Sequence, residues 1–111
     1  MGGTVSTGVL LERERDELLE SLGNLRKEMQ SEVEFDSDEF APDLFEREKT
    51  LAIIQTLERQ LKDVETALHR LETGQYGICE SCGEPIEPGR LEAVPAASLC
   101  VACKSKVERR L

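Results

Sequence analysis

Four cysteines limit what this chain can fold into more than any other feature. They stand as Cys79-x2-Cys82 and, seventeen residues further on, Cys100-x2-Cys103. Two C-x2-C pairs at this separation are the spacing of a structural zinc site. Each pair turns two thiolates toward one centre, and the intervening loop returns the second pair to complete a tetrahedron. Gly83, directly after Cys82, permits the left-handed turn such a knuckle needs. Tyr76 and Ile78 on one side, with Ile86 and Leu91 on the other, can form a small apolar patch beside the metal. Four thiolates close the coordination sphere and leave no position for water or substrate, so the expected single Zn2+ is structural.

Other uses of four cysteines stay open at this point. Two disulfides would call for an oxidising compartment, and no secretion signal is present to supply one. A redox pair would leave two cysteines unused, with no βαβ pattern around either C-x2-C. Four thiolates could also hold an iron–sulfur centre.

Upstream of Gly74 the pattern is helical. Leu11, Leu18, Leu22, Leu25 and Met29 make one apolar stripe over about 9–31. Gly23-Asn24 interrupts it and allows a bend. Between Glu32 and Pro42 the stripe disappears, and Pro42 suits the first turn of a second helix. From Asp43 to Thr73 the stripe is Leu44, Leu51, Ile54, Leu57, Leu61, Val64, Leu68 and Leu71, with Gly74 as the stop. At ~1.5 Å rise per residue this helix spans roughly 46 Å. Two striped helices joined by about ten residues bury both stripes most simply by folding back on each other. The expected fold is therefore all-α: an antiparallel coiled-coil hairpin on a small four-cysteine zinc-finger base with a short C-terminal helix. The boundaries expected are a disordered 1–8, with Ser6 or Thr7 as a cap, the hairpin at 9–73 with its tip at about 32–42, and the finger at 74–111.

Composition excludes several functions. The chain has 111 residues, 33% of them charged, only four aromatics, and a formal charge of −9. That balance opposes binding to bare nucleic acid or to an anionic membrane. Val9-Leu10-Leu11 is too short for a signal core or a membrane span, so a cytoplasmic location is expected. Met1-Gly2 with Ser6 matches a myristoylation pattern that is short and common. His69, the single histidine, lies off the leucine stripe and reads as a solvated helix position. One histidine assembles no acid–base or nucleophilic constellation, and no phosphate-cradling loop is present, so no enzyme is expected.

The charge is unevenly spread. From Glu28 to Glu48 nine acids face Arg47 alone, which places −8 around the expected tip. Lys104, Lys106, Arg109 and Arg110, less Glu108, give the C-terminus +3. An acidic run is most simply a solvated turn; held at the end of a rod it is also a negative probe.

The stretch Gly74-Gln-Tyr-Gly-Ile-Cys79-Glu-Ser-Cys82-Gly-Glu-Pro-Ile86, with Arg90-Leu-Glu-Ala-Val-Pro-Ala-Ala-Ser-Leu-Cys100-Val-Ala-Cys103-Lys104, resembles the DksA/TraR family of bacterial C4-type zinc fingers. Phe45-Glu-Arg-Glu-Lys49 is similar to its YteA-like branch. The resemblance implies a coiled coil that enters the secondary channel of bacterial RNA polymerase, its tip acting near the catalytic centre without reading DNA sequence. The family's Asp-x-x-Asp-x-Ala tip maps onto Asp36, Glu39 and Ala41, with Asp38 as an added charge and Pro42 following. The guanosine tetraphosphate site of the best-known branch uses a lysine and an arginine where this chain has Asp63 and Val94, and only its third position has a counterpart, Lys104. Alarmone binding is therefore not expected. The alternatives are a coiled-coil adaptor docking on another protein and, against the charge, a nucleic-acid-binding zinc ribbon.

Overall fold

The computed structural model describes residues 6–34 and 44–110. They form four helices: α1 (Thr7–Glu34), α2 (Leu44–Thr73), α3 (Pro88–Ala93) and α4 (Val101–Arg110). Among the described residues there is no strand, only an isolated antiparallel bridge between Ile78 and Pro85. The chain is all-α, as the stripes require.

Ser6 starts α1. Its Oγ accepts the Val9 N–H at 3.2 Å and its carbonyl accepts the Leu10 N–H at 3.1 Å, satisfying donors a helix start leaves bare. The cap draws the helix start to Thr7, two residues before the expected Val9, so Thr7 and Gly8 are helical. α1 runs unbroken through Gly23 and ends at Glu34, so the turn expected from Glu32 starts later. α2 stops where Gly74 predicts. Gly74 adopts φ +77°, the Gln75 N–H bonds the Arg70 carbonyl at 2.8 Å, and the Gly74 N–H reaches the Leu71 carbonyl at 3.4 Å. That pair of bonds is a Schellman motif, which satisfies the last carbonyls of the helix.

The chain divides into two compact units, Met1–Glu14 with Asp63–Leu111, and Arg15–Lys62. Each contains part of both long helices, running antiparallel. In the first, Leu11, Val64 and Ala67 are buried and Gly8 faces Leu71. In the second, Leu18, Leu22 and Ile54 are buried, and Arg26 donates to Glu58 across the helices at 2.8 Å. That ion pair is half exposed on both sides, worth under ~1 kcal/mol, and serves register more than stability. The finger thus shares its unit with the beginning of α1 and the end of α2.

The α2 stripe needs one correction. Leu44 and Leu51, both expected in the seam, are 70% and 46% exposed. The half-buried positions that continue the spacing from Ile54 are Thr50 and Arg47. Counting four and then three residues toward the N-terminus from Ile54 reaches those two, whereas Leu51 sits a further 100° around the helix. Ala67, absent from the leucine pattern, is buried in its place beside Val64.

Among the described residues, no helix is long and apolar enough to cross a membrane. His69 is exposed, as its place off the stripe predicts. Asp36, Asp38, Glu39, Ala41 and Pro42 lie outside the described residues, as do Met1 and Gly2.

Candidate metal centre

The first knuckle is built directly onto the end of α2. After Gly74 the chain turns through Gly77 at φ +82°, and Gly83 follows Cys82 at φ +78°, the left-handed conformation its place in the sequence predicts. Between these glycines the backbone closes on itself. The Cys79 N–H bonds the Glu84 carbonyl at 2.8 Å, Gly83 N–H the Cys79 carbonyl at 2.9 Å, and Ile86 N–H the Gly77 carbonyl at 2.7 Å. Cys79 and Cys82 are thereby fixed on one tight turn.

The second pair belongs to a helix start. Cys100 immediately precedes α4 and Cys103 lies in its first turn. The Lys104 N–H bonds the Cys100 carbonyl at 2.9 Å, and Glu87 Oε1 accepts the Val101 N–H at 3.4 Å. α3 carries the chain between the pairs. It opens with Pro88 at its first position, where a missing N–H costs nothing. The knuckles are joined by the Glu80 N–H, which donates to the Ser98 carbonyl at 2.9 Å.

These turns bring all four thiols together. The sulfurs of Cys79, Cys82, Cys100 and Cys103 lie within 4.8 Å of one another, the only such metal-capable group among the described residues. Cys82 Sγ and Cys100 Sγ are 3.8 Å apart. A tetrahedron with Zn–S bonds of ~2.3 Å has edges of about 3.8 Å, whereas a disulfide needs ~2.05 Å. No disulfide joins any two of the four cysteines. The residues present therefore fit one Zn2+ held by four thiolates, with no position left for substrate.

Without a metal, the four thiols do not ionise alike. Cys79 is lowered to about 6, because the Cys100 and Cys82 amides donate to its sulfur. Cys103 is pushed up to about 12, because it shares its proton with Cys100 and then Cys79. Local dipoles stabilise one thiolate, while a cluster of them repels further ionisation. A dication removes that obstacle.

Around the sulfurs, Ile86 is buried with Cys79, Cys100 and Cys103, and Leu91 and Leu99 pack against them. Two of the four expected patch residues, Ile86 and Leu91, are in place. Ile78 is half-buried in its bridge to Pro85, and the Tyr76 hydroxyl donates to the Pro95 carbonyl at 2.7 Å. Leu99 and Arg90, whose Nε donates to the Leu99 carbonyl at 2.9 Å, carry no pattern that singles them out in the sequence. Arg70 does carry a weak signal, since a cation in a last helical turn suits bare carbonyls. Asp63, Val94 and Lys104 are all exposed.

Comparison with known proteins agrees with this architecture. The family model of the prokaryotic dksA/traR C4-type zinc finger matches residues 74–109. The RNA polymerase-binding transcription factor DksA of Caulobacter vibrioides is 35% identical over 99 residues, covering 86% of this chain and 69% of that protein. An uncharacterized Aquifex aeolicus protein is 33% identical over 102 residues, covering 90% of this chain and 67% of its own length. The chain thus spans about two-thirds of the length of these relatives. Among solved structures, transcription factor DksA2 from Pseudomonas aeruginosa superposes with a TM-score of 0.75 at 35% identity, covering 94% of this chain and 81% of that one. The named relatives are transcription factors and not enzymes. This chain belongs to the DksA/TraR family of C4-type zinc-finger proteins.

Proposed function

We propose that this chain regulates transcription in the cytoplasm by binding bacterial RNA polymerase. Its acidic segment at about 32–42 enters the secondary channel and acts near the catalytic centre. The observation that carries this reading is 35% identity over 86% of the chain to a protein named as an RNA polymerase-binding transcription factor. The charge supports it: nine acids between Glu28 and Glu48 suit a site that holds Mg2+ better than they suit DNA. No sequence-specific DNA contact is part of the reading. Cys79, Cys82, Cys100 and Cys103 hold one structural Zn2+, which fixes the finger at the base of the hairpin.

In this reading Asp36, Asp38 and Glu39 supply carboxylate oxygens to the bound Mg2+ or to the mobile elements around it, and Ala41 makes a small close contact. Glu39 is one methylene longer than the family's aspartate and reaches correspondingly further. Guanosine tetraphosphate is not a ligand of the finger and coiled-coil junction. Asp63 puts an anion where the best-known branch has a cation, and Val94 removes a guanidinium that would grip phosphate.

The test pairs binding with function. Immobilised protein should retain core RNA polymerase, and it should shift open-complex lifetime at a responsive promoter. Asp36→Asn with Glu39→Gln should keep polymerase affinity, because the helices and finger are untouched, and should abolish the shift. A double variant that acts like its parent would reduce the acidic segment to a solvated turn. Failure to retain polymerase at all would favour the adaptor reading.

A further inference from the structure

We infer that Arg70 and Arg90 are positioning residues of the metal centre, each clamping one C-x2-C turn by the carbonyl that precedes its first cysteine. Arg70 Nη2 donates to the Ile78 carbonyl at 2.5 Å and to the Gln75 carbonyl at 3.1 Å. Ile78 directly precedes Cys79. Arg90 Nε donates to the Leu99 carbonyl at 2.9 Å, and Leu99 directly precedes Cys100. Both arginines reach in from helices outside the turns they hold, and both are half-buried.

The two clamps are equivalent in a way that secondary structure alone does not require. Each helix also offers the arginine's own carbonyl to the segment that follows. The Arg70 carbonyl accepts the Gln75 and Tyr76 N–H groups at 2.8 and 3.1 Å, and the Arg90 carbonyl accepts the Val94 N–H at 2.7 Å. Main chain and side chain of one residue thus fix where a helix ends and where the next knuckle begins. A guanidinium suits this task, because its planar Nη2 offers two N–H bonds in fixed directions, one to Gln75 and one to Ile78.

Charge gives the clamps a second role. Four thiolates around Zn2+ carry a formal charge of −2, held in a site where three of the four cysteines are buried. Two guanidinium groups bonded one residue away from the ligands offset that charge while holding the backbone still. Outer partners of this kind set metal retention without touching the metal.

The inference rests on the four-thiolate centre, so the experiment measures that first. In the full chain, Co2+ substituted for Zn2+ should give the charge-transfer and d–d bands of a tetrahedral four-thiolate site. If the parent gives no such spectrum, the metal assignment itself fails. Zinc affinity is then read by competition with a chromophoric chelator for Arg70→Ala, Arg90→Ala and the double variant. Each single change should weaken zinc by ~10–100-fold with the Co2+ spectrum retained. Arg70→Lys should recover part of the loss, since it keeps the charge and loses the planar donor group. Arg59→Ala removes an exposed α2 arginine that, among the described residues, bonds Thr56, and it should leave zinc affinity unchanged. Affinities within twofold of the parent for both clamp variants would overturn the inference, as would an equal loss in Arg59→Ala. Should an alanine variant fold poorly, Arg70→Gln and Arg90→Gln retain a donor without the charge and must fall between parent and alanine.

Discussion

Loss of zinc should unfold the finger and leave the long helices standing, and Cys82→Ser is the cleanest way to produce it. The apolar core of the finger is very small. Among the described residues, Ile86 is its only buried non-cysteine side chain, backed by Leu91 and Leu99. Full burial of one isoleucine contributes about 1.5–3 kcal/mol, far below the ~1–2 kcal/mol per residue needed to order a segment of this length. The metal must supply the difference, and structural zinc in small fingers is worth about 10–16 kcal/mol in apparent binding free energy. Replacing one thiolate with a hydroxyl forfeits much of that. The long helices away from the finger do not depend on it, since Leu18, Leu22 and Ile54 are buried in the compact unit Arg15–Lys62, which contains none of the finger. α1 and α2 hold 28 and 30 helical residues, and α3 and α4 hold 6 and 10. Far-ultraviolet circular dichroism at 222 nm should therefore fall by about a fifth, not collapse, in the variant or after chelation. Amide exchange should lose protection across 75–110 and keep it around Leu18–Leu22 and Ile54. A finger that stays protected without metal would refute the reasoning, and so would a single transition that melts both long helices with the finger.

Three further outcomes follow from the packing and the charges. Leu22→Ala should destabilise the helical pair by ~3 kcal/mol in urea unfolding, because the side chain is 0% exposed and its loss leaves a cavity. Gly23→Ala should stabilise by about 0.5–1 kcal/mol in the same assay, since an added Cβ meets nothing within 4 Å and the helix is continuous there. Guanosine tetraphosphate should leave this protein's effect on polymerase unchanged in a transcription assay, whereas Asp63→Lys with Val94→Arg should introduce a dependence; clear dependence in the parent would contradict the reading of Asp63 and Val94.

Much of this molecule was legible because its constraints are periodic or covalent in origin. The cysteine spacing announces a four-thiolate site, since only certain loop lengths return two pairs to one centre. Gly74 and Gly83 mark their turns because few other residues adopt φ near +77°. The leucine stripes of α1 and of α2 from Ile54 onward give the hairpin, because a 3.6-residue helix turns such spacing into one face. What escaped is what periodicity does not encode. Leu51 fits the spacing of its stripe and still lies outside the seam, because it sits 100° around the helix from Thr50; Thr50 and Arg47, which continue the half-buried face, are polar and carry no hydrophobic mark. Ala67 is buried because it is small enough for close approach, which a leucine pattern cannot reveal. α3 is six residues long, too short to show a period, and only Pro88 hints at it. The arginine clamps depend on where two carbonyls point after folding, a property of the backbone and not of any motif.

The central claim concerns the acidic segment, and it meets its most direct test in a photocrosslink from position 40. A benzoylphenylalanine in place of Phe40 stands between Glu39 and Ala41 in sequence and leaves the four cysteines and the buried seam unaltered. Irradiated with RNA polymerase, it should crosslink to the large catalytic subunits at residues lining the inner secondary channel, and excess unlabelled protein should compete the product away. Crosslinks confined to the outer surface of the enzyme, or none to polymerase while another cellular protein is labelled, would contradict the account.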